Sequence, residues 1–192
     1  MRKLACAVLV VAVAPSLFAA DANSNADRVV MKTVFGAASH ANHLHGVAPA
    51  VVRSTTLGGA DSFASEWIVK VRGDVIGREL ADSYARENMK QEDVNDYFPK
   101  LVKTVDADAP YDWSAISDEF PAANAIMVFS RPAFDSLGSV AFVRADVIPK
   151  KGTATTTFYE LEHQPDDSWK IDHMAVSTYD SSRRSDVHLS AR

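Results

Sequence analysis

The sequence has a single cysteine, few clustered basic residues and no long apolar run after its first residues. Because Cys6 lies within the first 20 residues, the remainder contains no disulfide and must fold on its hydrophobic core alone. The net charge is −5, and it becomes −7 when Arg2 and Lys3 are left out, which argues against non-specific binding to nucleic acid. No later segment supplies the roughly 20 apolar residues of a membrane-spanning helix.

Catalytic signatures are also missing. The sequence contains no Gly-x-Ser-x-Gly elbow, no phosphate-binding loop and no His-Glu-x-x-His pair. Its acidic stretches do not follow the ligand spacing of a calcium loop. These absences favour a binding protein over an enzyme.

The first 20 residues have the order of a secretory signal peptide. Met1-Arg2-Lys3 is basic, Leu4–Ala14 is an unbroken apolar run, and the small residues of "PSLFAADA" follow. We expect export to the periplasm or the medium, without a membrane span in the mature chain. Three positions are compatible with cleavage: Ala19, Ala20 and Ala22.

The remaining chain is long enough for one domain. Residues 21–63 are rich in small and polar residues and are expected to be a partly ordered N-terminal region. Residues 64–180 are expected to form a single α+β domain, and residues 181–192 a mobile tail.

Helical spacing precedes a β-rich half. Ile76, Leu80 and Tyr84 lie four residues apart, which predicts a helix. A second helix is expected to begin near Pro99 and to include Val105. A third is expected in "DWSAISDEFP", capped by the aspartate that opens it.

Four β-rich runs separated by hairpin-length turns predict a four-stranded antiparallel meander with the helices on one face. The first run contains Pro132, which removes a ladder donor and so predicts an edge strand. The runs are Ala125–Phe134, Ser139–Ile148, Thr153–His163 and Trp169–Tyr179.

Residues 113–172 carry the motifs "EFP", "SRPAFDSLGSVAFVRADV" and "FYELEHQPDDSWKID". This pattern resembles a group of exported bacterial proteins of unknown function, and the resemblance implies no catalytic residue. The ending Trp169-Lys170-Ile171-x-His173 is similar to that of nuclear-transport-factor-like and polyketide-cyclase-like domains. That similarity implies a curved sheet around a ligand pocket.

Histidines supply two candidate sites. His40, His43 and His45 lie close together in "SHANHLHG" and are candidate ligands for a divalent metal, although three exposed histidines near a terminus are also often incidental. On the last hairpin, a five-residue turn would place Tyr159 opposite His173. Such a pair is either a satisfied core histidine or an acid–base or ligand-binding group in a pocket.

Arg131 admits two interpretations. As a structural residue beside Pro132, it would point outwards or pair with Asp135. As a site residue, its bidentate guanidinium would bind a substrate carboxylate.

The sequence thus favours an exported, non-enzymatic binding module for a small molecule or a protein partner, with no required cofactor. Two alternatives stay open. One is a metal-dependent or histidine-based enzyme, and the other is an inhibitor or immunity-type protein of the cell envelope.

Overall fold

The computed structural model describes residues 25–41, 50–59, 61–73, 75–94, 97–98, 103–106 and 111–180. The four helices of these ranges are α1 (Asn25–Ala41), α2 (Ser62–Arg72), α3 (Ile76–Glu87) and α4 (Trp113–Glu119). The seven strands are β1 (Ala50–Arg53), β2 (Thr104–Val105), β3 (Ala125–Phe129), β4 (Ala133–Phe134), β5 (Val140–Pro149), β6 (Thr153–His163) and β7 (Trp169–Asp180). The predicted α+β class is confirmed. The expected signal peptide and C-terminal tail lie outside the described residues.

The strands form one mixed sheet in the order β2-β1-β3-β5-β6-β7, with β4 paired to β5. Strands β3, β5, β6 and β7 pair antiparallel, whereas β1 runs parallel to both β2 and β3. The four-stranded meander therefore does not describe the whole sheet, because two short strands from earlier in the chain extend it. With four and two residues, these strands are too short to show a clear alternation in the sequence.

Helices cover both faces of the sheet, so the expectation of one covered face is wrong. Side chains alternate along a strand, and the face that carries Val143 and Leu161 packs against α1. The opposite face carries Phe142 and Phe158 and packs against α2 and α3. Helix α4 covers that second face near β1 and β3, where it buries Ile116. We call these surfaces the α1 face and the α2 face.

Helices α2 and α3 approach each other backbone to backbone. A Cβ atom on Gly77 would lie 2.7 Å from the Cα atom of Val69, so no larger residue fits there without a shift. The predicted helix over Ile76, Leu80 and Tyr84 is confirmed as α3, and the last two of these side chains are buried. None of the helices in the described ranges is both long and apolar enough to cross a membrane.

The other two predicted helices have different outcomes. Asp112 caps α4 as predicted, since its Oδ1 atom accepts hydrogen bonds from the backbone N–H groups of Ser114 and Ala115 at 2.9 and 3.2 Å. Val105, however, lies in β2 and not in the helix expected from Pro99. Pro99 itself lies outside the described residues.

Pro132 lies in a break between β3 and β4. The predicted edge position is wrong, because β3 is paired with β1 on one side and β5 on the other. The proline is tolerated because it falls beyond Met127, the last β3 residue that β1 pairs with. Ser130 bridges the break: its N–H donates to Arg144 O, and its Oγ accepts from Arg144 N, both at 2.9 Å.

We predict that Leu161→Ala lowers the free energy of unfolding by about 2–5 kcal/mol, because it opens a cavity beneath α1. Leu161 is fully buried on the α1 face. Leu137→Ala is the matched control, since Leu137 is 85% exposed in a turn and its truncation should change the same quantity by less than about 0.5 kcal/mol. Urea unfolding measures both, and equal losses would contradict this packing.

Candidate functional site

A β-bulge at Asp172 decides which side chains meet across the last hairpin. From the turn of the hairpin as far as Leu161, β6 and β7 pair in the register that the sequence predicted. Beyond it Asp172 is an extra residue on β7, so that Glu160 lies opposite His173. The predicted pairing of Tyr159 with His173 is therefore wrong, because one extra residue moves each later side chain of the strand to the other face.

Tyr159 and His173 consequently lie on opposite faces of the sheet. Tyr159 is 1% exposed within the cluster on the α1 face. Burial raises the pKa of its hydroxyl, although a hydrogen bond with Thr157 acts in the opposite direction. His173 is half exposed on the α2 face. These two residues do not line a common pocket.

The residue that does meet His173 is a buried carboxylate. Glu160 is fully buried on the α2 face. Arg72, the last residue of α2, makes this burial possible because its Nη2 atom lies 2.5 Å from Glu160 Oε1. The Nδ1 atom of His173 lies 3.2 Å from the same carboxylate oxygen.

Two more carboxylates surround the same guanidinium. Arg72 Nη2 lies 3.0 Å from Glu162 Oε1 and 3.7 Å from Asp172 Oδ2. The Asp172 oxygen also lies 2.9 Å from His173 Nδ1. One guanidinium therefore contacts three carboxylates, and potential metal-ligand atoms of Glu160, Asp172 and His173 lie within 4.8 Å of one another.

A second charged cluster occupies the α2 face farther along β5. Arg144 donates from Nε and Nη2 to the two oxygens of buried Asp146, both at 2.9 Å, and from Nη1 to Asp61 at 2.5 Å. Thr156 also donates to Asp146 at 2.8 Å. Burial alone would lower the pKa of Arg144, but Asp146 and Asp61 outweigh it and raise that pKa above its ordinary value. Because Arg144 donates hydrogen bonds from all three of its guanidinium nitrogens to Asp146 and Asp61, we assign this cluster a structural role.

Tyr84 lies beside this cluster on α3. Burial raises the pKa of its hydroxyl well above the ordinary value, and the positive charge of Arg144 opposes that shift. The ring of Tyr84 meets Phe142 edge to face, with centroids 4.9 Å apart. The ring of Tyr84 is therefore part of the packing between α3 and the sheet.

Arg131 neither points outwards nor pairs with Asp135. Its side chain is 13% exposed, and its Nη1 atom lies 3.0 Å from Glu87 and 2.9 Å from Glu92. Asn88 fixes the backbone of Arg131, whose N–H donates to the Asn88 Oδ1 atom at 2.7 Å. A substrate carboxylate would therefore compete with two acidic side chains for this guanidinium.

The structure describes one of the three clustered histidines. His40 is exposed in the last turn of α1. His43 and His45 lie outside the described residues, so the metal site predicted for the three histidines stays a prediction.

Strand β7 presents a further surface. It is the last strand of the sheet, and no described strand pairs with its outer edge. Met174 and Val176 lie two residues apart on the α1 face and are 64% and 60% exposed. No charged residue lies between Met174 and Tyr179.

Two open grooves lie among the described residues. One, of about 370 Å³, lies between α3 and the turn after β4 and includes Glu79, Arg86 and Asp135. Another, of about 190 Å³, lies beside Phe120 and Lys103. Neither is lined by Tyr159, His173 or Arg131.

Comparisons with protein-family models, with curated proteins and with solved structures find no match to this chain. The resemblances drawn from residues 113–172 and from the last hairpin therefore stay predictions.

We predict that Asp146→Asn lowers the free energy of unfolding by about 3–5 kcal/mol, because it leaves the partly buried Arg144 without its bidentate carboxylate. Asp118→Asn is the control, since Asp118 is exposed on α4 and should change stability by less than about 0.5 kcal/mol. Chemical denaturation monitored by tryptophan fluorescence measures both. A loss below about 1 kcal/mol for Asp146→Asn would show that this cluster does not support the fold.

Proposed function

We propose that this chain is an exported, non-enzymatic binding module that takes up an extended segment of a partner protein along the outer edge of β7. The observation that carries the proposal is the uncharged stretch Met174–Thr178 in the second half of this strand. From Met174 onward it combines an edge position with two large exposed apolar side chains.

Edge strands expose unpaired N–H and C=O groups, and folded proteins commonly blunt them with charges, prolines or bulges. The first half of β7 has such features, namely Lys170, Asp172 and the bulge. The half from Met174 to Thr178 has none. An unprotected edge of this kind favours the addition of a strand from another chain.

The surface also defines the chemistry of the partner segment. Met174 and Val176 would be covered by apolar side chains at alternate positions of the added strand. A charged side chain at those positions would be desolvated without a counter-ion, which is costly. We therefore expect a largely uncharged, β-branched segment.

A protein partner is favoured over a small molecule by the arrangement of the interior. Tyr159 and His173, the residues proposed to line a pocket, lie on opposite faces of the sheet. The grooves described above are open to solvent, whereas small-molecule sites bury most of their ligand.

We predict that a photo-crosslinker placed at Val176 captures an extended segment of one envelope protein in the producing cells. A peptide with the sequence of that segment should then slow amide exchange of Met174–Thr178, because strand addition adds backbone hydrogen bonds. Val176→Lys should weaken peptide binding by at least about tenfold, the effect of losing roughly 1.4 kcal/mol of apolar contact.

Leu137→Lys is the control, since Leu137 is an exposed apolar residue that lies outside β7, in the turn between β4 and β5. A crosslinker at Leu137 should not capture the same segment. Cross-links from Val176 to a second copy of this chain, or to residues 1–24 or 181–192 of the same chain, would overturn the proposal. So would amide protection that leaves β7 unchanged.

A further inference from the structure

Glu160 is an unusual residue for the interior of this sheet. It is fully buried, and its Oε2 atom has no hydrogen-bond partner among the described residues. Buried carboxylate oxygens are normally paired or bound to a cation, and an unsatisfied one requires a specific explanation. The buried Nε atom of Arg72 is likewise without a partner in the described residues.

The surrounding charges are unbalanced. Glu160, Glu162 and Asp172 contribute three negative charges, and Arg72 is the guanidinium that contacts all three. Lys170, opposite Glu162 in the ladder, is exposed to solvent. Arg72 carries one positive charge and contacts three negative ones. The net negative charge that is left favours an additional cation.

The β-bulge arranges the ligand atoms. Because Asp172 is inserted beside His173, both side chains approach Glu160 from the neighbouring strand. His173 Nδ1 lies 3.2 Å from Glu160 Oε1 and 2.9 Å from Asp172 Oδ2. Two ligand atoms bound to tetrahedral zinc at about 2.1 Å are about 3.4 Å apart, so these spacings are close to those of a metal site.

We propose that Glu160, Asp172 and His173 form a binding site for a divalent transition-metal cation, with zinc as the best-matched probe. One imidazole nitrogen and two carboxylate oxygens are ligands that zinc accepts, whereas calcium requires six to eight oxygens. Three protein ligands leave a further position for water or for an outside ligand. This site is separate from the histidines of the predicted His40–His45 cluster and does not depend on the proposed partner.

The cation reaches the site from solvent. Side chains of His173 and Asp172 are 52% and 38% exposed, while Glu160 lies beneath them. Arg72 contacts both Glu160 and Glu162 and so provides the outer contact that orients a ligating carboxylate.

Isothermal titration calorimetry of the purified chain with zinc chloride tests the site. His40→Ala, His43→Ala and His45→Ala are introduced together in every variant, so that the other histidine cluster does not contribute. We expect one zinc ion per chain and a dissociation constant that rises at least about tenfold with His173→Ala and with Asp172→Asn, since each removes one ligand. Calcium should not compete at equal concentration.

His163→Ala is the matched control, because His163 lies on the same hairpin but outside the site, near Asp167. It should leave zinc binding unchanged. Asp172→Asn removes a half-exposed carboxylate, and circular dichroism confirms that each variant is folded. Cobalt(II) bound to the unmodified site should give visible d–d absorption that His173→Ala alters.

Three results would overturn the proposal. The first is no zinc binding by the chain that retains His173 and lacks His40, His43 and His45. The second is unchanged affinity in His173→Ala and Asp172→Asn. The third is an equal loss with His163→Ala, which would show that any histidine of the hairpin contributes in the same way.

Discussion

Helix α2 is joined to the sheet at both ends by charged side chains, and the arrangement of the α2 face depends on these contacts. At its start, Asp61 caps the helix through Oδ1 and contacts Arg144 of β5 through Oδ2. At its end, Arg72 contacts Glu160 of β6. Buried charges are costly unless paired with good geometry, so an altered helix position would take Arg72 away from Glu160 and would leave Arg144 with Asp146 but without Asp61. We infer that the two pairs specify the direction of α2 across the strands, over the roughly 16 Å of an 11-residue helix.

The bulge at Asp172 divides β7 into two different surfaces. Before and at the bulge the strand is charged and contributes to the cluster around Arg72. After it, the stretch from Met174 to Thr178 is uncharged and displays Met174 and Val176 on the α1 face. Without the extra residue, His173 would lie on the α1 face and Met174 would turn toward α2. One insertion thus accounts for both the proposed cation site and the proposed partner surface.

The sequence predicted the regular parts of the fold well because their signals are local. The four β-rich runs coincide with β3 to β7, and the aspartate cap of α4 and the spacing of α3 are both observed. By contrast, α1 and β1 lie in the region expected to be only partly ordered. Val30, Val34 and Ala38 have helical spacing and are buried in α1, but the many small and polar residues around them masked that pattern.

The site could not be predicted because it depends on contacts between distant segments. No local pattern marks a bulge, so the register of β7 was correct only up to Leu161. The burial of Glu160 depends on Arg72, which reaches it from α2, 88 residues earlier in the chain, and no sequence pattern connects the two. The same limit applies to Arg131, whose partners Glu87 and Glu92 lie about 40 residues away.

A double-mutant cycle between Arg72 and Glu160 tests most directly whether buried pairing holds α2 on the sheet. Urea unfolding of Arg72→Met, Glu160→Gln and the double variant gives their coupling free energy. The ion pair predicts a coupling of at least about 1 kcal/mol, with the double variant less destabilised than the sum of the single variants. Additive effects within about 0.5 kcal/mol would show that the two residues do not interact and would contradict this account of the fold.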